Sequence, residues 1–284
     1  MTNKEASEEY ILAEERKYLG AEIGDMFIEP IKQTRGYEGD KAELLFPRHS
    51  TAYAEWIRAA LYASLCTWDR EPQVPATKLL SASFEEQEKL LLNILKDRPI
   101  SVALEAQTFV FKLTGVPRSY THQAVRHRAM AFGQESFRVS SCYSAPIRIP
   151  QHLIDNLNTA NLESKVGEAR QTSSLMKQFE GAVLHCREVY KSLIKSGVPM
   201  EQARNIMPMG TETKITITGR LRDYIEVFRD RTGDIAMDEH TYIICLMAQE
   251  LKQHQPKFFD FINSKVKGLE ASMQKYLSKN YEAL

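Results

Sequence analysis

Residues Thr121–Arg138 read THQAVRHRAMAFGQESFR, and the rest of the chain is best read outward from them. The periodicity of the first half predicts a helix running as far as Gly133. Beyond the glycine, Ser136, Arg138 and Ser140 alternate, which predicts an extended segment with all three on one side. On the helix, Gln123 and Arg126 share a face by their i, i+3 spacing, while Arg128 lies nearly opposite Arg126. A turn at Gly133 would then gather Gln123, Arg126, Ser136 and Arg138 around one pocket. Helical arginines are more often a solvated face, and it is this placement that argues otherwise. Guanidiniums clamp phosphate bidentately, a serine hydroxyl can donate to it, and a glutamine amide offers a donor and an acceptor to a base or sugar edge. The pocket suits a nucleoside monophosphate.

Upstream, Phe109, Phe111 and Leu113 alternate with polar or smaller neighbours and predict a strand with one buried face, closed by Gly115 and Pro117. Ser50–Cys66 carries apolar residues at helical spacing. Ser83 with Glu86 forms a capping box ahead of Leu90, Leu91, Ile94 and Leu95, with Pro99 beyond the end. Downstream, a long helix is predicted over about Ser164–Ser196, closing at Gly197, with Pro199 in the first turn of the next. Thr213–Thr218 alternates as a strand with Ile215 and Ile217 on one face. Helices follow around Leu221–Phe228, over Ile243–Leu251 and over Phe258–Leu277. The expected class is α+β: one helix-rich domain with a small, mainly antiparallel sheet over residues 49–284. Residues 1–48 are expected to be a polar N-terminal extension without regular elements.

Composition narrows the function. The 284 residues hold 37 Lys plus Arg against 37 Asp plus Glu, for zero formal net charge. Nucleic-acid binders usually carry a basic excess because phosphate contacts supply most of their affinity, so no nucleic-acid partner is expected. The apolar run Tyr242–Ala248 is too short to span a bilayer, and the acidic first twenty residues lack a secretory core. Cys66, Cys142, Cys186 and Cys245 are scattered without a CxxC pair, which argues against structural zinc and disulfides alike. A cytoplasmic protein without membrane partners is expected. No GxGxxG follows a strand, no GxSxG elbow supports a Ser136/His127 triad, and the i, i+5 spacing of His122 and His127 is wrong for a metal pair. Arg229 is read as a surface ion-pairing residue.

Taken together, these segments resemble the flavin-dependent thymidylate synthases. The family's RHR, seven residues, then Ser reads here as Arg126–Ser136. Glu105 precedes the aromatic strand in EAQTFVF, and Gln123 stands three residues before the triplet. Ala203-Arg204-Asn-Ile-Met-Pro208 resembles the family's AR-x-x-x-P, and Arg231 followed by Ala236-Met237-Asp238-Glu239 resembles its later arginine and A-x-x-E. The likeness runs from about residue 50 to 265. It implies that Gln123, Arg126, Gln134, Glu135, Ser136 and Arg138 hold deoxyuridine monophosphate, with Arg204 and Arg231 completing the site from a neighbouring subunit of a homotetramer. Arg231 and Ser136 would be catalytic. FAD would be held by Ser101, Arg126, His127, Arg128, Gln134, Arg220, Arg222 and Glu226. Methylenetetrahydrofolate and NADPH would be co-substrates, and no metal is implied.

The departures from the family fall in the flavin half. Gly133-Gln134 replaces an Asn-Glu pair, Pro99 or Ile100 stands where a histidine is expected, Arg220 and Glu226 replace two asparagines, and Ile235 and Met237 replace a histidine and a glutamine. Reductive methylation of deoxyuridine monophosphate to thymidylate is the leading reading. Hydroxymethylation at C5, should the altered pocket admit water, and a pyrimidine-nucleotide-binding paralogue without catalysis stay open beside it.

Overall fold

The computed structural model describes residues 33–35, 40–48, 50–65, 81–97, 104–138, 140, 142–155, 166–232 and 238–281. Along the chain run β1 (Gln33–Arg35), β2 (Lys41–Phe46), α1 (Ser50–Leu65), α2 (Phe84–Asp97), β3 (Thr108–Pro117), α3 (Arg118–Ala124), β4 (Ala131–Gln134), β5 (Ile147–Ile149), α4 (Val166–Lys195), α5 (Met200–Ala203), a 3-10 turn (Arg204–Ile206), β6 (Glu212–Arg220), α6 (Leu221–Arg231), α7 (Asp238–His254), α8 (Pro256–Lys265) and α9 (Leu269–Tyr281). The chain is a helix-rich α+β protein. The described residues fall into two compact units, one within residues 40–116, 120–134 and 214–284, the other within residues 33–35, 117–119 and 135–213.

The first unit is built on a four-stranded sheet in the order β2-β3-β6-β4. β2 pairs antiparallel with β3, and β4 antiparallel with β6, from Ala131 opposite Thr218 to Gln134 opposite Ile215. The predicted alternation is realised: Phe109, Phe111, Leu113, Ile215 and Ile217 are all buried. They meet α6 through Tyr224 and Phe228, and Trp56 of α1 packs edge-on to both Phe109 and Phe258. Each large side chain so buried contributes about 1.5–3 kcal/mol. The capping box of α2 is present in both directions, with Ser83 N–H donating to the Glu86 carboxylate and Glu86 N–H to Ser83 Oγ. On β2, the backbone N–H of Leu44 donates to Glu250 Oε2 of α7 at 3.0 Å.

The second unit centres on α4, with β1 and β5 paired in parallel. Gly197, at φ 81°, ends the helix in the left-handed conformation that glycine adopts without cost. A small core of Phe137, Cys142, Tyr190 and Ala203 binds the loop after Gln134 to α4 and α5. Arg148 and Glu212 form a buried ion pair at 3.2 Å, exposed by only 7% and 6%.

Several expectations are corrected. The helix through the RHR triplet stops at Ala124 and continues only as tight turns, Arg126 N–H to Gln123 C=O and His127 N–H to Ala124 C=O. Ala131–Gln134 is instead a strand, because β6 offers it a hydrogen-bonding edge. Gly133 lies within that strand opposite Thr216 and makes no turn. Ser136–Ser140 is not extended: Ser140 N–H and Oγ both return to Ser136 C=O, and Arg138 N–H reaches Ser136 Oγ. Phe258–Leu277 is two helices, broken by Gly268 at φ 86°. Pro199 caps α5 from outside rather than lying in its first turn. Before residue 48, β1 and β2 are regular elements, and β2 is a full member of the sheet.

Candidate active site

Three charged groupings stand out among the described residues. The first lies in the α4 unit, where Glu201 of α5 touches two of the expected arginines: its carboxylate meets Arg138 at 3.5 Å and its carbonyl accepts from Arg204 Nε at 3.2 Å. The Arg138 pair is largely exposed, and such pairs are worth little, so Arg138 can exchange Glu201 for another anion at small cost. Arg118 opens α3 and extends to the same region. Its guanidinium donates to Glu135 C=O at 3.2 Å and lies 4.1 Å over the Phe137 ring. Burial, and then the like charge of Arg204, pull the Arg118 pKa down. Ser136, three guanidiniums and the carboxylates of Glu135 and Glu201 thus share a unit, which leaves one positive charge in excess among them.

The second grouping lies in the sheet unit. Arg231, the last residue of α6, donates Nε–H to Nε2 of His127 at 3.1 Å, and its carbonyl accepts from Thr241 Oγ1 at 2.8 Å. An imidazole nitrogen that accepts carries no proton, so His127 is neutral here. Burial and the adjacent Arg231 both hold its pKa below the usual histidine value. Behind it is His240 of α7, buried and tilted against Tyr120 at 4.6 Å between ring centroids. Neither ring nitrogen of His240 has a hydrogen-bond partner among the described residues. Burial first, then Arg231 and His127, push its pKa down to about 4.

The third is an ion-pair network where β6 runs into α6. Asp223, almost fully buried, accepts the backbone N–H of Arg220 and two guanidinium bonds at 2.9 and 3.0 Å. Glu105 meets Arg222 at 3.0 Å and Arg220 at 3.9 Å, and Glu226 lies 3.6 Å from Arg222.

The model of the family described as "Thymidylate synthase complementing protein" matches residues 49–257, most of the chain. This chain belongs to that family. Proteins named flavin-dependent thymidylate synthase are among its relatives. That of Geobacter sulfurreducens is 30% identical over 158 residues, covering 55% of this chain and 61% of the relative. That of Clostridium tetani is 29% identical over 183 residues, covering 62% and 71%. The matched stretch therefore spans less than two thirds of the Geobacter relative's length. Among solved structures, a UMP/dUMP methylase from Streptomyces cacaoi bound with 5-Br dUMP superposes with a TM-score of 0.61 at 17% identity, over 82% of this chain and 97% of that one. The likeness is one of fold.

The family's signature residues are divided between the two units. Glu135, Ser136, Arg138 and Arg204 fall in the α4 unit; Gln123, Arg126, His127, Arg128, Gln134, Arg220, Arg222, Glu226 and Arg231 fall in the sheet unit. Gln123 and Arg126 bracket one turn and are exposed. Gln134 is engaged by Thr121, donating to its Oγ1 at 2.9 Å. Ser101 and residues 233–237, with Ile235, Ala236 and Met237, lie outside the described residues.

A flavin dinucleotide demands uncompensated positive charge at its diphosphate. Arg126 and Arg128 meet that demand: both are exposed, and no side chain among the described residues pairs with either. Arg220 and Arg222 do not, since three carboxylates already surround them. Among the described residues no cluster of His, Cys, Asp or Glu could hold a metal, and no helix is long and apolar enough to cross a membrane.

Sequence reasoning missed Arg118, Glu201, Asp223 and His240. Arg118 carried a readable signal, because a cation in a helix's first turn opposes the dipole and needs a reason to be there. His240 carried none, since its partners come from three separate elements.

Proposed function

We propose that this chain catalyses flavin-dependent methylation of deoxyuridine monophosphate at C5, giving thymidylate. Methylenetetrahydrofolate is the carbon donor and NADPH the reductant in this reading, with FAD as cofactor. The observation that carries it is the meeting of Arg138 and Arg204, far apart in sequence, at Glu201, with Ser136 Oγ accepting the backbone N–H of Arg138 in the same compact unit. Such a set binds a phosphate monoester: Ser136 Oγ donates, and two guanidiniums neutralise the dianion once Arg138 releases Glu201.

Arg231 acts on the pyrimidine ring. Uracil C5 is a weak nucleophile, and a fixed cation beside N3 and O4 stabilises the N3-deprotonated base, so that electron density reaches C5. His127 holds the guanidinium's Nε and leaves its terminal nitrogens for the substrate. An arginine at this point favours uracil, because neutral cytosine has no N3 proton to lose. Arg126 and Arg128 would hold the diphosphate of FAD, which when bound would supply the hydride that completes the methyl group. The same reading makes the protein a cytoplasmic homotetramer with sites formed between subunits.

Anaerobic incubation with deoxyuridine monophosphate, methylenetetrahydrofolate and reduced FAD, followed by product mass, tests the reading. Thymidylate is the expected product. A hydroxymethylated nucleotide would replace it with the hydroxymethylating alternative, and unaltered substrate that nonetheless binds would make the chain a non-catalytic nucleotide binder.

A further inference from the structure

Arg118 grips the chain on both sides of Ser136. One terminal nitrogen donates to the carbonyl of Glu135, immediately before it, and the guanidinium carbon lies 4.1 Å over the ring of Phe137, immediately after it. Arg118 is itself anchored by its backbone. Its N–H donates to Thr211 C=O and that of Ser119 to Met209 C=O, each at 3.0 Å, fixing the start of α3 to the segment that follows Pro208. Phe137 is 5% exposed and packs into the small core with Cys142, Tyr190 and Ala203, the residue that precedes Arg204. Ser136 between them is exposed. A serine in an exposed turn ordinarily samples several orientations, and ordering it costs entropy when a ligand binds. Here the flanking carbonyl and ring are both held by one rigid fork.

We infer that Arg118 is a positioning residue for nucleotide binding: it presets the Ser136 turn, and its charge beside Arg204 adds to the attraction for the phosphate. This rests on the reading of the α4 unit's cluster as the phosphate end of a pyrimidine-nucleotide site. The geometry favours arginine, because one nitrogen of its broad guanidinium donates to a carbonyl while its carbon lies over a ring, whereas a lysine ammonium is a compact, strongly hydrated point charge.

The test is a double-mutant cycle on nucleotide affinity, with deoxyuridine monophosphate titrated into the full-length protein by calorimetry. Arg118→Gln should weaken binding by roughly 10- to 100-fold. Ser136→Ala added to Arg118→Gln should cost less than about twofold more, because the hydroxyl is already misplaced. Arg118→Lys should recover only part of the loss, and it carries the same comparison should the glutamine variant fail to fold. Deoxyuridine, which lacks the phosphate, should compete equally well against wild type and variant. Wild-type affinity in both Arg118 variants, or fully additive losses with Ser136→Ala, would overturn the inference and leave the proposed function standing. Failure of the wild-type protein to bind deoxyuridine monophosphate at all would instead overturn the proposed function, and this inference with it.

Discussion

Arg231 and His127, 104 positions apart in the chain, are joined by a single hydrogen bond of 3.1 Å in which the guanidinium donates and the imidazole accepts. The bond defines both partners: the histidine is neutral, and the arginine is held by one edge with the other left for a ligand.

Arg231→Ala should therefore abolish turnover while sparing most of the nucleotide affinity. The phosphate contacts assigned to Ser136, Arg138 and Arg204 persist, whereas stabilisation of the ring anion is lost. A fall of roughly 100- to 1,000-fold in kcat with Kd altered only a few-fold is expected. Steady-state rates set beside calorimetric titration would check it, and equal activity in variant and wild type would remove Arg231 from the mechanism.

The same bond predicts an acid limb. Burial and Arg231 depress the His127 pKa, so the imidazole still accepts at the pH where an ordinary histidine would begin to charge. As pH falls through the depressed value the ring protonates, the bond breaks and two like charges face each other. Activity should decline there. In His127→Gln, whose amide oxygen can accept at any of these pH values, that part of the kcat profile should flatten.

His240 should govern stability at mild acidity. Its folded pKa is about 4 against an ordinary value near 6.5. The unfolded chain takes up the proton as pH falls below 6.5, and the folded chain does so only near 4. Stability is thus complete above pH 6.5, drains away between 6.5 and 4, and levels below. The loss is on the order of 3 kcal/mol. Urea midpoints measured across this window should fall in the wild type and fall less in His240→Phe, and parallel curves would refute the assignment.

The buried pair of Arg148 and Glu212 gives a further stability test. Arg148→Ala strands a carboxylate that is 6% exposed, at a cost of roughly 3–5 kcal/mol. Replacing both partners, as Arg148→Met with Glu212→Leu, should recover most of it. A single variant as stable as the double one would show that Glu212 reaches water.

The legible parts of this fold are those whose signal is local. Ser83 and Glu86 cap a helix by contacts three residues apart, and Phe109, Phe111 and Leu113 declare a buried face by alternation alone. β4 was hidden because Ala131–Gln134 is only half-buried, and its strand character comes from β6, over eighty residues later. β2 was hidden likewise: Lys41–Phe46 mixes charge and leucine without a period, and becomes a strand by pairing with β3. In the candidate site, the RHR triplet and Ser136 could be picked out by residue type. The partners that set their behaviour could not, because Glu201 and Asp223 look like any surface acid until the chain brings an arginine to them.

The bond from Leu44 N–H to Glu250 bears on how this protein survives at high concentration. β2 is an outer strand of the sheet and shows Leu45 and Phe46 to solvent, 41% and 38% exposed. Such a margin is where a foreign strand would dock and fibrils would nucleate. With an outward-facing donor already claimed by a helix carboxylate, an incoming chain finds the template blocked, so sticky side chains can sit at that border without seeding polymer.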